Sequence, residues 1–442
     1  MKTYKEIDIN SGNEPAIKNN KNMINKFEKK PELLAPAGTF NKAMVALYFG
    51  ANAIYFAGKK FGLRAFAQNF EDDDIKKTID YAHSLGKKVY ITVNILAHED
   101  DFDGLEDYIL KLVEYKVDAL IISDLGIISL VHKIAPKMEI HVSTQANILN
   151  SYAINFLAKF GVKRIILARE LSVDEIKKIK SKIPENISLE CFVHGAMCIS
   201  YSGRCLLSNY LAGRDSNRGE CVQPCRWEYA LCEKSRKDEY FEIQEDSRGT
   251  YILNSKDLCM ISHLKELINA GVSSLKVEGR MKSEYYVATV VNTYRRAIDN
   301  LYLDSLKNND KTTKSVEIDF KKELEKTSHR QFTTGFYFED KDKEFSETST
   351  PVQSHKFIAI VLEDAKDGFV KIEQRNRFKV GDTLEVLSPD ENFNKKIIVE
   401  YIKDEFENSI DDARTVQQTL FLKTNLLLKK NDILRIKILE NK

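Results

Sequence analysis

From Pro31 onward, short apolar runs alternate with longer stretches whose apolar positions recur at helical spacing. The runs Glu32 to Ala37, Ala53 to Ala57, Lys88 to Ile95, Ala119 to Ser123, Glu139 to Thr144, Arg164 to Ala168, Ser188 to Val193 and Ser274 to Glu278 read as strands. Between them Asp72 to Ser84, Asp103 to Tyr115, Ile127 to Ala135, Ala153 to Phe160, Val173 to Ile183 and Ser262 to Ala270 read as helices, with Ser283 to Leu301 as a last one. Parallel strands need a crossover, usually a helix, so this alternation predicts an α/β fold, a (β/α)8 TIM-like barrel. An open doubly wound sheet would satisfy the same alternation, but no GxGxxG follows the first strand.

One βα unit breaks the rhythm. A βα loop usually takes about 2 to 6 residues, whereas Ala196 to Met260 separate the seventh strand from the next helix. We read residues 196–260 as an insertion after strand 7, lying over the C-terminal face where barrel enzymes keep their active sites. After the last helix, Asp304 to Lys326 is charged, and from Lys356 the texture changes to alternating runs separated by turn signals. These runs are Phe357 to Leu362, Gly368 to Glu373, Asp382 to Leu387, Lys396 to Ile402 and Asp432 to Ile438. The expected organisation is a polar tail over residues 1–30, the barrel over 31–302, a linker with helical character over 303–350, and a small all-β, barrel-like C-terminal domain over 351–442.

The 442 residues are 43% hydrophobic, enough for a substantial core. Lys and Arg number 67 against 66 Asp and Glu, a formal charge of +1. That balance removes any global pull toward a polyanion, so a nucleic-acid site would have to be a local patch. The longest apolar stretch, Asp118 to Leu130, is broken by Asp124 and Gly126 and falls short of the ~18 to 20 residues of a membrane span. The N-terminal residues lack the apolar core of a secretion signal, and a cytoplasmic protein is expected.

All seven cysteines lie between Cys191 and Cys259, and six of them fall in the insertion. In a reducing compartment such clustering points to metal or redox chemistry. Four thiolates suit zinc or an iron-sulfur cluster; the paired CxxC knuckles of a zinc ribbon are missing, so a cluster with dispersed ligands fits better. The candidate ligands are Cys198, Cys205, Cys221 and Cys259, with Cys225 as the alternative to Cys221. Cys191 and Cys232 read as small buried hydrophobes. A nucleophilic Cys198 with His194 as its base is the hydrolytic alternative; HExxH, GxSxG and GxxxxGK[ST] motifs do not occur.

A second signal is polar alternation within strands that should point into a packed barrel. His141, Ser143 and Gln145 share one face of the fifth strand, and Lys276, Glu278 and Arg280 one face of the eighth. Burying such groups is costly unless they pair or meet a ligand. Lys276 and Glu278 are therefore either a self-satisfied pair or catalytic, and Arg280 is a candidate for an anionic substrate. Asn94, Arg169 and His194 fall at strand ends, and the run Gly62 to Phe70 mixes Arg64 and Asn69 with aromatics, which suits base stacking and phosphate contacts. The catalytic candidates are thus His194, Lys276, Glu278, Arg280 and Arg169; the substrate-binding candidates are Arg64, Asn69, Asn94, His141, Ser143 and Gln145.

The run from Glu190 to Ser208, carrying Glu190, Phe192, Gly195, Ala196, Met197, Cys198, Gly203, Cys205, Leu207 and Ser208, resembles the signature of the collagenase-like peptidase family U-32. Glu32 to Gly38, Gly62 to Phe70, Ser143 to Asn147, Asn254 to Leu258 and Lys276 to Met281 extend the resemblance, which is strongest toward the tRNA hydroxylation branch of that family. The resemblance implies a tRNA-modifying enzyme that converts the wobble uridine to 5-hydroxyuridine without dioxygen, with prephenate as the hydroxyl-source co-substrate. It also implies a 4Fe-4S cluster on Cys198, Cys205, Cys221 and Cys259. A uridine flipped into the barrel mouth would meet Arg280, Lys276 or Arg169, and Lys423, Lys429 and Lys430 are candidates for gripping the tRNA. The family label implies a collagenase-like peptidase as the alternative. A cluster-bearing subunit that works with a partner chain is a third reading, and a homo-oligomer is left open.

Overall fold

The computed structural model describes residues 29–62, 70–198, 200–227, 230–232, 240–242, 256–306, 318–338 and 351–438. Nearly all of the expected polar tail, together with Arg64 and Asn69, lies outside the described residues. Eight strands form the barrel: β1 (Glu32–Pro36), β2 (Ala53–Phe56), β3 (Lys88–Val93), β4 (Ala119–Ile122), β5 (Glu139–Val142), β6 (Val162–Ile166), β7 (Ser188–Ala196) and β8 (Val272–Val277). Each pairs in parallel with its neighbour, and β8 closes the ring on both β7 and β1. Leu33, Ile54, Val89, Leu120 and Ile165 are fully shielded from solvent, as expected for strands covered by helices on their outer face.

Several helices start where a side chain satisfies their first free amides. Thr39 caps α1 (Phe40–Tyr48), a helix absent from the periodicity reading. After α2 (Asp72–Ser84) and α3 (Leu105–Glu114), Asp124 caps α4 (Leu125–Ile134), Asn150 caps α5 (Ser151–Leu157), and Ser172 with Glu175 forms a capping box on α6 (Val173–Lys180). The insertion carries the short α7 (Leu207–Ala212); α8 (Leu264–Asn269) and the long α9 (Glu284–Leu306) follow.

β7 runs three residues beyond its predicted end because the insertion returns alongside it. The strand Asp257–Cys259 pairs antiparallel with Gly195 and its neighbours, and Phe332–Thr333 adds to the outside of that strand. Arg330 pins the return: its Nη2 lies 2.8 Å from the buried Asp257 carboxylate, and its backbone N–H donates to the other carboxylate oxygen at 3.1 Å.

The C-terminal part is an eight-stranded antiparallel half-barrel. Its central ladder joins Ile433–Lys437, His355–Val361, Phe369–Gln374 and Thr419–Lys423 in that order. The run predicted as one strand, Lys396 to Ile402, divides into Lys396–Ile398 at one edge and Ile402–Asp404 toward the other. Thr419–Lys423 is not among the predicted runs; its apolar residues Leu420 to Leu422 are only three before Lys423-Thr-Asn425, too short a run to show a strand period. Ile360, Leu387 and Ile433 join the barrel's apolar core, so the two parts share a packed boundary.

Candidate active site at the barrel mouth

The lower half of the barrel interior is polar, with its charges paired around two acids. Glu190 of β7 receives the Lys276 ammonium at 3.1 Å, an Arg164 N–H at 3.0 Å and the Ser274 hydroxyl at 3.0 Å. Glu32 accepts from Arg164 at 2.5 Å and from the Tyr90 hydroxyl at 2.7 Å. Two carboxylates and two cations cancel, which is how a barrel can bury four charges. Burial alone would raise the Glu190 carboxyl, but Lys276 and Arg164 outweigh it and hold the pKa at about 2. Lys276 is thus spent on Glu190, not on Glu278, and its ammonium lies 4.2 Å above the Tyr55 ring. His141 belongs to this layer as well: fully buried, it sits 2.8 Å from Glu139 against the Tyr90 ring, below the mouth and not on it. Burial lowers its pKa, with Glu139 opposing. Sequence reasoning gave Glu190 no chemical role and passed over Glu32, Arg164 and Ser274, although Glu190, like Phe192, occupies an inward position on its strand.

Above this layer the strand ends open a mouth. Asn94 Nδ2 and the Ser143 hydroxyl come within 3.5 Å, and Ser143 Oγ also accepts from the Gln145 backbone N–H at 3.3 Å. Glu278 accepts from the Tyr55 hydroxyl at 3.2 Å. Arg169 is buried, donating to the Ala196 carbonyl at 3.1 Å and to the Ser202 hydroxyl at 2.6 Å. Burial works against its charge, but Cys198, Glu170 and Glu278 around it more than offset this and raise its pKa. Arg280 is buried beside the β1–α1 turn, where a Cβ on Gly38 would stand 2.5 Å from the Arg280 carbonyl.

A cavity of about 390 Å³ lies over the ends of β3, β4 and β5, bounded by Asn94, Ser123, Asp124 and Gln145 and roofed by Gly203, Arg204 and Asn217 of the insertion. The roof is tied down: Arg218 grips Asp101 through two bonds of 2.6 and 2.8 Å, and the Leu96 amide donates to the Asn217 carbonyl at 3.3 Å. Gly203 closes the roof with φ of +73°, and a Cβ there would stand 2.3 Å from Gln145 Oε1, an acceptor buried without a hydrogen-bond donor.

His194 is elsewhere. Lys276 stands opposite Phe192 but Val277 opposite His194, so β7 gains a residue at that step. Such a bulge reverses which side of the sheet the following side chain faces. His194 is therefore turned to the outer wall, its ring 5.5 Å from Tyr294, 6.0 Å from Tyr286 and 5.7 Å from Phe332. Burial pushes its pKa down to about 3. In this arrangement it faces the outer wall and not the mouth, and it makes no hydrogen bond to Cys198.

Cys198 and Cys221 are exposed, Cys205 and Cys225 half-buried, and Cys259 is buried with its thiol pushed up to about 11 by that burial. Cys191 is buried with its thiol at about 12, in keeping with a small hydrophobe. Cys232 ends the short strand Ala230–Cys232. Among the described residues, no three of His, Cys, Asp and Glu come together as a metal site. The soft thiol set suits a cluster chemically, but the described positions do not assemble one: Cys259 faces the Tyr294 side of the wall, whereas Cys198 faces Arg169.

The model of peptidase family U32 matches residues 38–347, and that of the peptidase family U32 C-terminal domain matches residues 353–435. The chain belongs to peptidase family U32. Among relatives of this U32 chain, tRNA hydroxylation protein P1 of Bacillus subtilis is 39% identical over 415 residues, covering 92% of this chain and 95% of that one. A 23S rRNA 5-hydroxycytidine synthase of Escherichia coli is 36% identical, covering 69% of this chain and 45% of that one. A collagenase of Porphyromonas gingivalis is 33% identical, covering 61% and 65%. Among the described residues, no helix is long and apolar enough to cross a membrane.

Proposed function

We propose that this U32 protein is an RNA-modifying enzyme that hydroxylates a pyrimidine of tRNA, the wobble uridine, to 5-hydroxyuridine. The observation that carries this reading is the roofed cavity at the barrel mouth, whose wall is largely apolar, with Leu96, Ile148 and Phe156 among its lining, and carries a few polar groups. It offers amide groups, Asn94 and Gln145, at the size of a single base, and no nucleophile–base pair is formed at its rim among the described residues. Relatives named for tRNA hydroxylation and for rRNA 5-hydroxycytidine synthesis support it, the first along almost the whole chain. In this reading Asn94 and Gln145 hydrogen-bond the edge of an extruded base, and Arg169, a buried cation with Glu278 nearby, holds the carboxylate of a hydroxyl-donating co-substrate such as prephenate.

The insertion's thiols are proposed to hold a 4Fe-4S cluster through Cys198, Cys205, Cys221 or Cys225, and Cys259. Support comes from the donor type and from the crowding of six cysteines into one loop. When bound, a cluster supplies one-electron chemistry; among the described residues the candidate ligands do not converge on one point. Two measurements test these readings. Nucleoside mass spectrometry of tRNA from a strain lacking the protein should show loss of 5-hydroxyuridine, restored by the wild-type chain and not by Arg169→Met. Iron and acid-labile sulfide assayed after anaerobic purification should both be present and should fall in Cys205→Ala. Unchanged tRNA accompanied by peptide cleavage would overturn the hydroxylase reading in favour of the peptidase one.

A further inference from the structure

The insertion leaves an unusual surface beside the cavity roof. Tyr201 is 44% exposed, Tyr210 on α7 is 89% exposed, and Trp227, directly after the turn Pro224–Arg226 that α7 packs against, is 46% exposed. Leu206, one helical turn before Tyr210, is also open to solvent. Exposed rings of this size are expensive to leave in water unless something covers them. The charge around them shows what that is. Residues 200–227 hold four arginines, no lysine and two acidic residues, and although Arg218 is spent on Asp101 the stretch keeps a basic excess. Arg204 is itself exposed and borders the cavity. Trp, Tyr and Arg also serve protein interfaces; what selects RNA here is the adjoining base-sized cavity, because rings beside a guanidinium group stack unpaired nucleobases and hold their phosphates. The surface is also held in place, since Arg218 and Asn217 fasten the insertion to the loop after β3. It therefore presents a preformed face, not one that must order on binding.

We propose that Tyr201, Arg204, Tyr210 and Trp227 form a stacking platform for the unpaired loop bases of the RNA substrate, delivering the target base to the adjacent cavity. The inference rests on the RNA-modification reading and deepens it by naming the residues that read the loop around the target base. α7 is then an RNA-binding element and not merely a lid.

Trp227 is the sole tryptophan of the chain, so its emission reports on this surface alone. The full-length protein would be titrated with an RNA hairpin carrying an unpaired loop and, separately, with a blunt duplex of the same stem, while the anisotropy of labelled RNA reports binding independently. Quenching of Trp227 by the hairpin and not by the duplex, with roughly tenfold weaker hairpin binding by Tyr210→Ala, supports the platform. Tyr210 is so exposed that its removal should leave the melting temperature unchanged, and Arg204→Gln provides a second variant with the same expected direction. If the hairpin binds and is hydroxylated while Trp227 emission stays constant and Tyr210→Ala binds like the wild type, the platform is wrong and the function stands. If the RNA neither binds nor is modified, both fall. Emission that shifts with protein concentration in the absence of RNA would assign the surface to a second copy of the chain and overturn the proposal.

Discussion

At the scale of single residues, His194 shows how one inserted position changes a reading. Strict alternation from Glu190 and Phe192 places it inside the barrel as a candidate acid; the bulge at Val193 sends it to the wall behind Tyr294 and Tyr286. Burial there holds its pKa at about 3, against about 6.5 for a histidine in water. The unfolded chain takes up a proton that the folded chain refuses, so this contribution to stability is complete above pH 6.5 and is lost as pH falls toward 3. At about pH 5 the loss is about 2 kcal/mol. His194→Phe keeps a ring in the site and removes the proton, so its melting temperature should fall less than that of the wild type between about pH 7.5 and about pH 5. His355, lowered to about 4 chiefly by burial, should account for part of the fall that remains. An identical fall in variant and wild type would show that His194 takes no part. A second residue-scale expectation concerns Gly203. Alanine there meets both a positive φ and Gln145 Oε1, so Gly203→Ala should displace the roof and raise the KM for RNA several-fold. Because the change lies in a loop and not in the core, the melting temperature should move little.

At the scale of elements, the eight strands and most helices were legible because parallel strands buried on both faces leave continuous apolar runs that helical segments punctuate. α1 was missed: its Thr39 cap is visible in the sequence, but the segment is short and follows directly from β1. The site was legible in part. Asn94, Ser143 and Gln145 do meet at the mouth, because the ends of neighbouring strands in a barrel must converge there. Lys276 was found but its partner was not, since Glu190 and Lys276 lie 86 residues apart and meet only because β8 pairs with β7 across the insertion. The same limit hid the Asp257–Arg330 pair that fastens the insertion's return strand. Both side chains are buried, so Arg330→Met leaves a carboxylate without its cation. The expected cost is about 3 to 5 kcal/mol, measurable by denaturant unfolding. The double variant Asp257→Asn with Arg330→Met should recover part of it, because no unpaired charge is then left behind. A loss below about 1 kcal/mol would mean that water reaches Asp257.

At the scale of the whole molecule, the half-barrel is not an appendage on a string. Arg296 donates to the Ser388 and Asp390 carbonyls at 3.0 Å each, the Tyr48 hydroxyl donates to Asp432 at 2.9 Å, and Ile360, Leu387 and Ile433 complete the barrel's apolar core. The fully buried Arg435 ties the parts together through Glu323 of the short helix Phe320–Leu324 at 2.6 Å and Glu385 of the half-barrel at 2.7 Å. Inter-domain surfaces within one chain usually permit independent motion unless they are large and apolar, and here a shared core is joined to a buried ion network. The two parts should therefore unfold together. Calorimetry of the full chain should give one cooperative transition, and Arg435→Met, which strands Glu323 and Glu385 near Lys326 alone, should lower that transition without dividing it. Two separate transitions in the wild-type chain would show that the boundary contributes little to either part. A split appearing only in Arg435→Met would instead place the coupling in the ion network and not in the apolar contacts of Ile360, Leu387 and Ile433.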